Sequence, residues 1–265
     1  MKGLLSVAFG TSYEQTRVKT IDAVEASLRA EFPDFAFYSA WSSGSIVSKV
    51  KAERGEHHDT LDEAFARLSA DGVDDLIVST MFLMHGGEMA KVVRAVESWM
   101  APGARSAHIA EPLLSSAADR QTVARVICDE FASVPESDAL LLMGHGSSQG
   151  ANEVYDGVQS ELHALGRTRF FVATVEGTPT FEDAWELIAK SGASCVHLAP
   201  LMIVAGDHAV NDMAGGDDSW ASRIEAGGFR TEVVMRGLGE CEGIRRLVCD
   251  HAHDAAVVRE VDLRG

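Results

Sequence analysis

A chain of 265 residues, 46% hydrophobic, 24% charged and with 6 prolines, has globular composition and enough length for one large or two modest domains. It holds no apolar run of roughly 18 residues, the length a membrane-spanning helix needs, and its formal net charge of -17 argues against general nucleic-acid binding, which requires basic surface. Cys128, Cys195, Cys241 and Cys249 show no C-x-x-C spacing and sit among apolar residues, so they read as free thiols suited to a reducing cytoplasm.

The opening MKGLLSVAFGTS runs into a glycine turn and a charged helix, so it reads as a first strand and not a cleaved leader. In the first half, strands are predicted at Leu4–Phe9, Phe35–Trp41, Asp75–Met81 and Ser106–Ala110, with helices at Tyr13–Glu31, Thr60–Ala70 and Glu88–Trp99. A helix at Ala117–Phe131 follows. Strands then recur at Ala139–Met143, Arg169–Val175, Cys195–Ile203 and Thr231–Met235, with helices at Asn152–Leu165, Phe181–Lys190, Ala209–Met213 and Ser219–Ala226. Alternation of this kind predicts an α/β fold with parallel sheets flanked by helices. LLSVAFGTSYEQTR resembles LLLMGHGSSQGANE, which is read as aligning Gly10 with His145, and DLIVSTMFLMHGGEMAKVV resembles CVHLAPLMIVAGDHAVNDM, which places Glu88 opposite His208. The repeat implies two similar domains from an internal duplication, 1–134 and 135–265, with Gly44–His58 an insertion in the first. Whether a terminal helix of one half packs on the other stays open.

Ligands of open parallel sheets bind beyond the carboxyl ends of the strands. In the second half these ends carry His145, Glu176 and His208. With a flavodoxin-like strand order the three strands are neighbours, and two imidazoles and a carboxylate converge, a donor set suited to a divalent transition metal with open positions. Each residue alone has a plainer reading, as turn cap, backbone partner or exposed side chain; the convergence is the evidence. Two rival motifs overlap the same stretch. Gly146-x-Ser148-x-Gly150 fits a hydrolase elbow, but its serine lies too far beyond the strand. Gly144-x-Gly146-x-x-x-Gly150 approximates a dinucleotide loop, but its third glycine is one residue late and it gives His208 no role. His57 and His58 read as solvent-facing, His197 as packed or hydrogen-bonded, and His251 and His253 as placed near a helix C-terminus. His85 and Glu88 occupy the first-half counterpart of Asp207–His208 and are candidates for facing the same cleft.

FGTSYEQTR, GHGS, VEGTPTFEDA and GDHAVNDMAGGDDSW together resemble the anaerobic cobalt chelatases of cobalamin biosynthesis, the CbiK type of class II tetrapyrrole chelatase, along nearly the whole chain. The resemblance implies two similar α/β domains and ATP-independent insertion of Co²⁺ into sirohydrochlorin. Iron insertion toward sirohaem and a non-catalytic tetrapyrrole or metal carrier are the alternatives. It also implies that His145, Glu176 and His208 hold the incoming ion, with His145 and Glu176 catalytic and His145 accepting pyrrole protons. No tightly bound cofactor is expected: Co²⁺ is the substrate metal, although Fe²⁺, Ni²⁺ and Zn²⁺ suit the same donors. For a substrate rich in carboxylates, the loops at Gly10, Thr11 and Ser12 and at Gly146 and Ser147 are expected to offer backbone N–H groups, alongside His85 and Glu88. Arg17 either assists or faces solvent. The expected setting is the cytoplasm, without nucleic acid or membrane, and a homo-oligomer is compatible with the sequence.

Overall fold

β1 (Lys2–Ala8) is buried from Gly3 onward, because the KGLLSVA run is covered on both faces as central parallel strands are. In the computed structural model, which describes residues 1–101, 103, 105–148 and 151–262, it is followed by α1 (Glu14–Lys19), α2 (Ile21–Glu31), β2 (Ala36–Trp41), α3 (Gly44–Arg54), α4 (Leu61–Ala70), β3 (Asp75–Thr80), α5 (Gly87–Met100) and β4 (Ser106–Ile109). These strands form one parallel sheet in the order β2-β1-β3-β4. The predicted helix Tyr13–Glu31 is broken at Thr20, whose ψ of -78° departs from helical geometry and whose hydroxyl donates to the Thr16 carbonyl at 2.6 Å.

After α6 (Ala117–Glu130) the pattern restarts with β5 (Ala139–Gly144), α7 (Glu153–Ala164), β6 (Phe170–Thr174), α8 (Phe181–Lys190) and β7 (Cys195–Pro200). A π-helical turn (Ala209–Met213), α9 (Trp220–Ala226), β8 (Arg230–Val233), a 3₁₀ turn (Leu238–Glu240) and α10 (Glu242–Asp262) complete the chain. The second sheet is again parallel, in the order β6-β5-β7-β8. The predicted strand Cys195–Ile203 stops at Pro200, with one further bond from Leu201 N–H to the Met143 carbonyl at 2.8 Å before the chain leaves the sheet.

The duplication is visible bond by bond. Ser42 and Ser43 donate their N–H groups to Ala8 and Phe9, as Val175 and Glu176 donate to Gly144 and His145. Met81 donates to Val7 as Leu201 does to Met143, and Trp41 to Asp59 as Thr174 does to Pro179. Gly10 and Gly146 take the same left-handed backbone, with φ of 98° and 77°, so Gly10 corresponds to Gly146, and Phe9, not Gly10, to His145. Thr60 and Thr180 cap α4 and α8 with matching capping boxes. The insertion Gly44–His58 falls between these matched bonds, and its first part is the helix α3.

The chain divides into two compact units, Met1–Leu113 with Arg245–Gly265, and Leu114–Ile244. The borders therefore differ from the expected 134/135 division. α6 belongs with the second unit, where it packs on α7 and Arg120 donates to the Leu114 carbonyl at 2.9 Å. α10 returns to the first, where His251 Nδ1 donates to the Glu111 carbonyl at 2.8 Å and the His253 ring lies 4.5 Å from that of Phe32. His251 and His253 thus sit inside a long helix, not near its end, and packing and hydrogen bonding explain them in place of the helix dipole. Each unit has its own apolar core, built on Leu5, Val7, Leu76 and Val78 in the first and on Leu141, Met143, Val196 and Leu198 in the second. Fully burying side chains of this size stabilises by about 1.5–3 kcal/mol each. Among the described residues no helix is long and apolar enough to cross a membrane.

Candidate functional site

Because β5 is the centre of its sheet, with β6 on one side and β7 on the other, the three strand ends singled out in the sequence are neighbours. Two glycines shape the turn that follows β5. A Cβ on Gly144 would lie 2.4 Å from the ring of the buried Tyr155, and one on Gly146 would meet Thr174 at 2.8 Å and the Gly177 nitrogen at 3.0 Å. The loop between is held from beneath. The Tyr155 hydroxyl accepts from Gly146 N–H at 3.2 Å, and Asn152 accepts from Ser147 N–H at 2.8 Å while its amide donates to the Ser147 carbonyl at 2.7 Å. Burial pushes the Tyr155 hydroxyl above its ordinary pKa, against the N–H groups of Gly146 and His145, so it stays protonated near neutrality.

This clamp overturns one expectation. The backbone donors of Gly146 and Ser147 are already engaged by Tyr155 and Asn152, so they are not offered to a carboxylate ligand. Ser148 stands several residues beyond β5, unlike an elbow nucleophile, and Gly150, which closes both rival motifs, lies outside the described residues.

His145 is exposed at the rim, and its ring meets that of His208 edge to face with centroids 4.7 Å apart. Each imidazole has its Nδ1 occupied. His145 Nδ1 lies 2.9 Å from the Gly146 carbonyl, and His208 Nδ1 lies 2.6 Å from the Asp212 carboxylate one helical turn on. Both partners are acceptors, so each Nδ1 carries the proton and each neutral ring keeps its lone pair on Nε2. Asp212 is not among the residues the sequence motifs mark, although its i,i+4 spacing from His208 is a readable signal. The Glu176 backbone is fixed beside His145 by its N–H bond to the His145 carbonyl at 2.8 Å, while its side chain is exposed. Two sets of three metal-competent side chains have ligand atoms within 4.8 Å of one another among the described residues. These are Asp138–Cys195–His197 and His57–Asp59–Glu63; His145, Glu176 and His208 are less closely drawn. Beside Asp212 a cavity of about 230 Å³ is lined by Thr174, Gly177, Phe181, Trp220 and Arg223.

The remaining candidates lie in the first unit. His85 Nε2 is 2.9 Å from Glu111, and Glu88, in the first turn of α5, pairs with Lys91 at 2.5 Å. Gly10 turns under Trp41, Thr11 is buried with its hydroxyl accepting from Tyr13 N–H, and the Ser12 carbonyl accepts from Arg54 at 2.7 Å. Arg17 does not face solvent: its side chain is 18% exposed and paired with Asp22 at 2.8 Å. His58 is likewise not solvent-facing, being stacked on Trp41 with centroids 3.7 Å apart.

A pair of parallel-sheet α/β units is the fold of known chelatases. SirB from Bacillus subtilis, solved with Fe³⁺, superposes with a TM-score of 0.64 at 12% identity, covering 98% of both chains. CbiX, the terminal enzyme for biosynthesis of siroheme in denitrifying bacteria, gives 0.59 at 18% identity, covering 96% of this chain and 99% of its own. The chain belongs to the cobalt chelatase (CbiK) family, whose pattern matches residues 2–257. It is 36% identical to the sirohydrochlorin cobaltochelatase of Salmonella typhimurium, covering 96% of each chain. It is 28% identical to the sirohydrochlorin cobaltochelatase CbiKC of Nitratidesulfovibrio vulgaris, over 94% of this chain and 89% of that one.

Proposed function

We propose that the protein inserts Co²⁺ into sirohydrochlorin without ATP, for anaerobic cobalamin synthesis, with His145, Glu176 and His208 as the ligands that deliver the ion. The carrying observation is the pair of imidazoles whose Nδ1 groups are both committed, leaving two Nε2 lone pairs at one exposed rim. A carbonyl or carboxylate on the far nitrogen is what orients a ligating histidine. The Glu176 carboxylate, exposed on a backbone tied to His145, reaches the ion by side-chain rotation and completes an open three-ligand set.

Incomplete ligation is the useful property. The ion needs free positions to take up ring nitrogens while it leaves the protein donors. As the ring nitrogens bind, the pyrrole N–H protons must go, and His145 Nε2, released by the departing ion, is a base at the right place. The cavity beside Asp212 is smaller than the several hundred Å³ that ordinary ligand pockets occupy, so the macrocycle lies over the open rim and not in that cavity. The substrates are thus the tetrapyrrole and a divalent ion, with cobalt as cargo. The four cysteines are unbridged, which fits a reducing cytoplasm.

The test is to mix the purified protein anaerobically with sirohydrochlorin and Co²⁺ and follow absorbance for wild type and His145→Ala. Many turnovers in wild type and almost none in the variant are expected. Binding that stops at one equivalent would make the protein a carrier, and equal turnover in both would remove His145 from the chemistry. Faster turnover with Fe²⁺ than with Co²⁺ would redirect the assignment to iron insertion.

A further inference from the structure

The amino end of the second sheet carries chemistry that the strand-end site does not use. β5 and β7 pair in register at Ala139↔Val196, so Asp138, one residue earlier, falls beside Cys195. Cys195 and His197 alternate along β7 and therefore share a face, and β8 sets Glu232 beside His197. This face is opposite the one whose Ala139, Leu141, Val196 and Leu198 build the core against α8 and α9. Asp138, Cys195 and His197 are all buried, with ligand atoms within 4.8 Å of one another, and Asp138 Oδ2 lies 3.2 Å from His197 Nε2.

We propose that Asp138, Cys195 and His197 form a second divalent-metal site, for a thiophilic ion such as Zn²⁺ or Co²⁺, distinct from the site of metal insertion. A tetrahedral ion with bonds of about 2.0–2.3 Å holds its ligands some 3.5 Å apart, so the existing cluster needs only a small inward movement. Thiolate, imidazole and carboxylate together select such an ion over Mg²⁺ or Ca²⁺. The outer shell is also in place: Glu232 Oε2 stands 3.5 Å from His197 Nδ1, the position from which a carboxylate orients a ligating histidine through Nε2. Glu232 is well exposed and marks the side from which an ion and a fourth, solvent ligand would enter. A buried His–Asp hydrogen bond by itself would need no thiol beside it. Burial raises the Cys195 thiol above its ordinary value, with Arg230 opposing, so binding expels the thiol proton to solvent. β5 is 6 residues long, so this site is separated from His145 by roughly 20 Å along the strand.

The test is an optical titration of the whole protein with Co²⁺ under reducing, anaerobic conditions. A thiolate-to-cobalt charge-transfer band is expected in wild type and in His145→Ala, and its loss is expected in Cys195→Ala, whose sirohydrochlorin metallation stays at the wild-type rate. Absence of the band in wild type, or its survival in Cys195→Ala, overturns the site. A metallation rate that falls with Cys195→Ala overturns its separateness. Circular dichroism checks the fold of the variant. Should Cys195→Ala unfold, Asp138→Asn decides: it preserves a hydrogen-bond acceptor for His197 and is expected to weaken Co²⁺ binding at the band at least tenfold, an unchanged midpoint counting against the proposal.

Discussion

The loop after β1 and the loop after β5 hang from the same backbone bonds yet carry different side chains. Where the second unit has His145, Glu176 and His208, the matched hydrogen bonds and the strand register of the first place Phe9, Ser43 and Glu88. Phe9 is 49% exposed and offers no lone pair. Ser43 accepts from Ile46 N–H as the cap of α3, and Glu88 pairs with Lys91. One scaffold therefore presents two imidazoles and a carboxylate at one set of strand ends, and a phenyl ring, a capping hydroxyl and a paired carboxylate at the other. The two units differ in the side chains at the strand ends, not in the sheet that holds them.

The comparison breaks or holds on exchange. Writing the first unit's residues into the second, as the triple variant His145→Phe, Glu176→Ser and His208→Glu, is expected to lower the metallation rate by at least about 10²–10⁴-fold, the range for loss of a positioned base alone. A triple variant that still turns over at the wild-type rate would mean that the rim does not hold the ion. A smaller effect is expected one shell out. Asp212→Asn removes the carboxylate that orients His208 and should cost about 10–100-fold in Co²⁺ affinity or activity. Raised KM for Co²⁺, with recovery in Asp212→Glu, separates orientation from a general loss of structure.

Gly144→Ala probes the packing beneath the loop. Ala8 occupies the matching place at the end of β1, whereas a Cβ at Gly144 would lie 2.4 Å from the Tyr155 ring. The variant should lose about 1–3 kcal/mol to overpacking, read as a lower urea midpoint with unchanged slope. A midpoint equal to wild type would show that Tyr155 yields freely.

How far the sequence could be read follows from where each determinant lies. Strand-end residues obey local grammar: an apolar run, a glycine that frees the turn and a donor between, so the sequence alone points to His145, Glu176 and His208 as candidates. The order β6-β5-β7 that brings them together follows from parallel α/β topology. Asn152 and Tyr155, which use up the Gly146 and Ser147 donors, stand at the start of α7, a helix whose rotation no local pattern fixes. The return of α10 to the first unit is invisible for a similar reason: an amphipathic helix advertises a buried face but not the partner that buries it. The polar neighbourhood RGEHHD points His58 toward solvent, whereas its ring is stacked on Trp41, a contact between distant parts of the sequence that no local pattern carries.

The smallest effect concerns that histidine, which belongs to the insertion the second unit lacks. Its ring stacks on Trp41, and burial holds its pKa below the ordinary histidine value, opposed by Glu56 at 3.5 Å. Above about pH 6.5, the ordinary value, both folded and unfolded chains carry this ring neutral and its burial costs nothing in protons. Below it the unfolded chain binds a proton that the folded chain declines, so stability falls with pH until the folded pKa is passed. His58→Phe keeps an aromatic ring on Trp41 and cannot titrate. Its urea midpoint should therefore drop less than that of wild type between about pH 7.5 and pH 5.5, on either side of the ordinary value. Equal drops would mean that the insertion is held by the backbone bond from Trp41 to Asp59 and that the stacked ring contributes no pH dependence of its own.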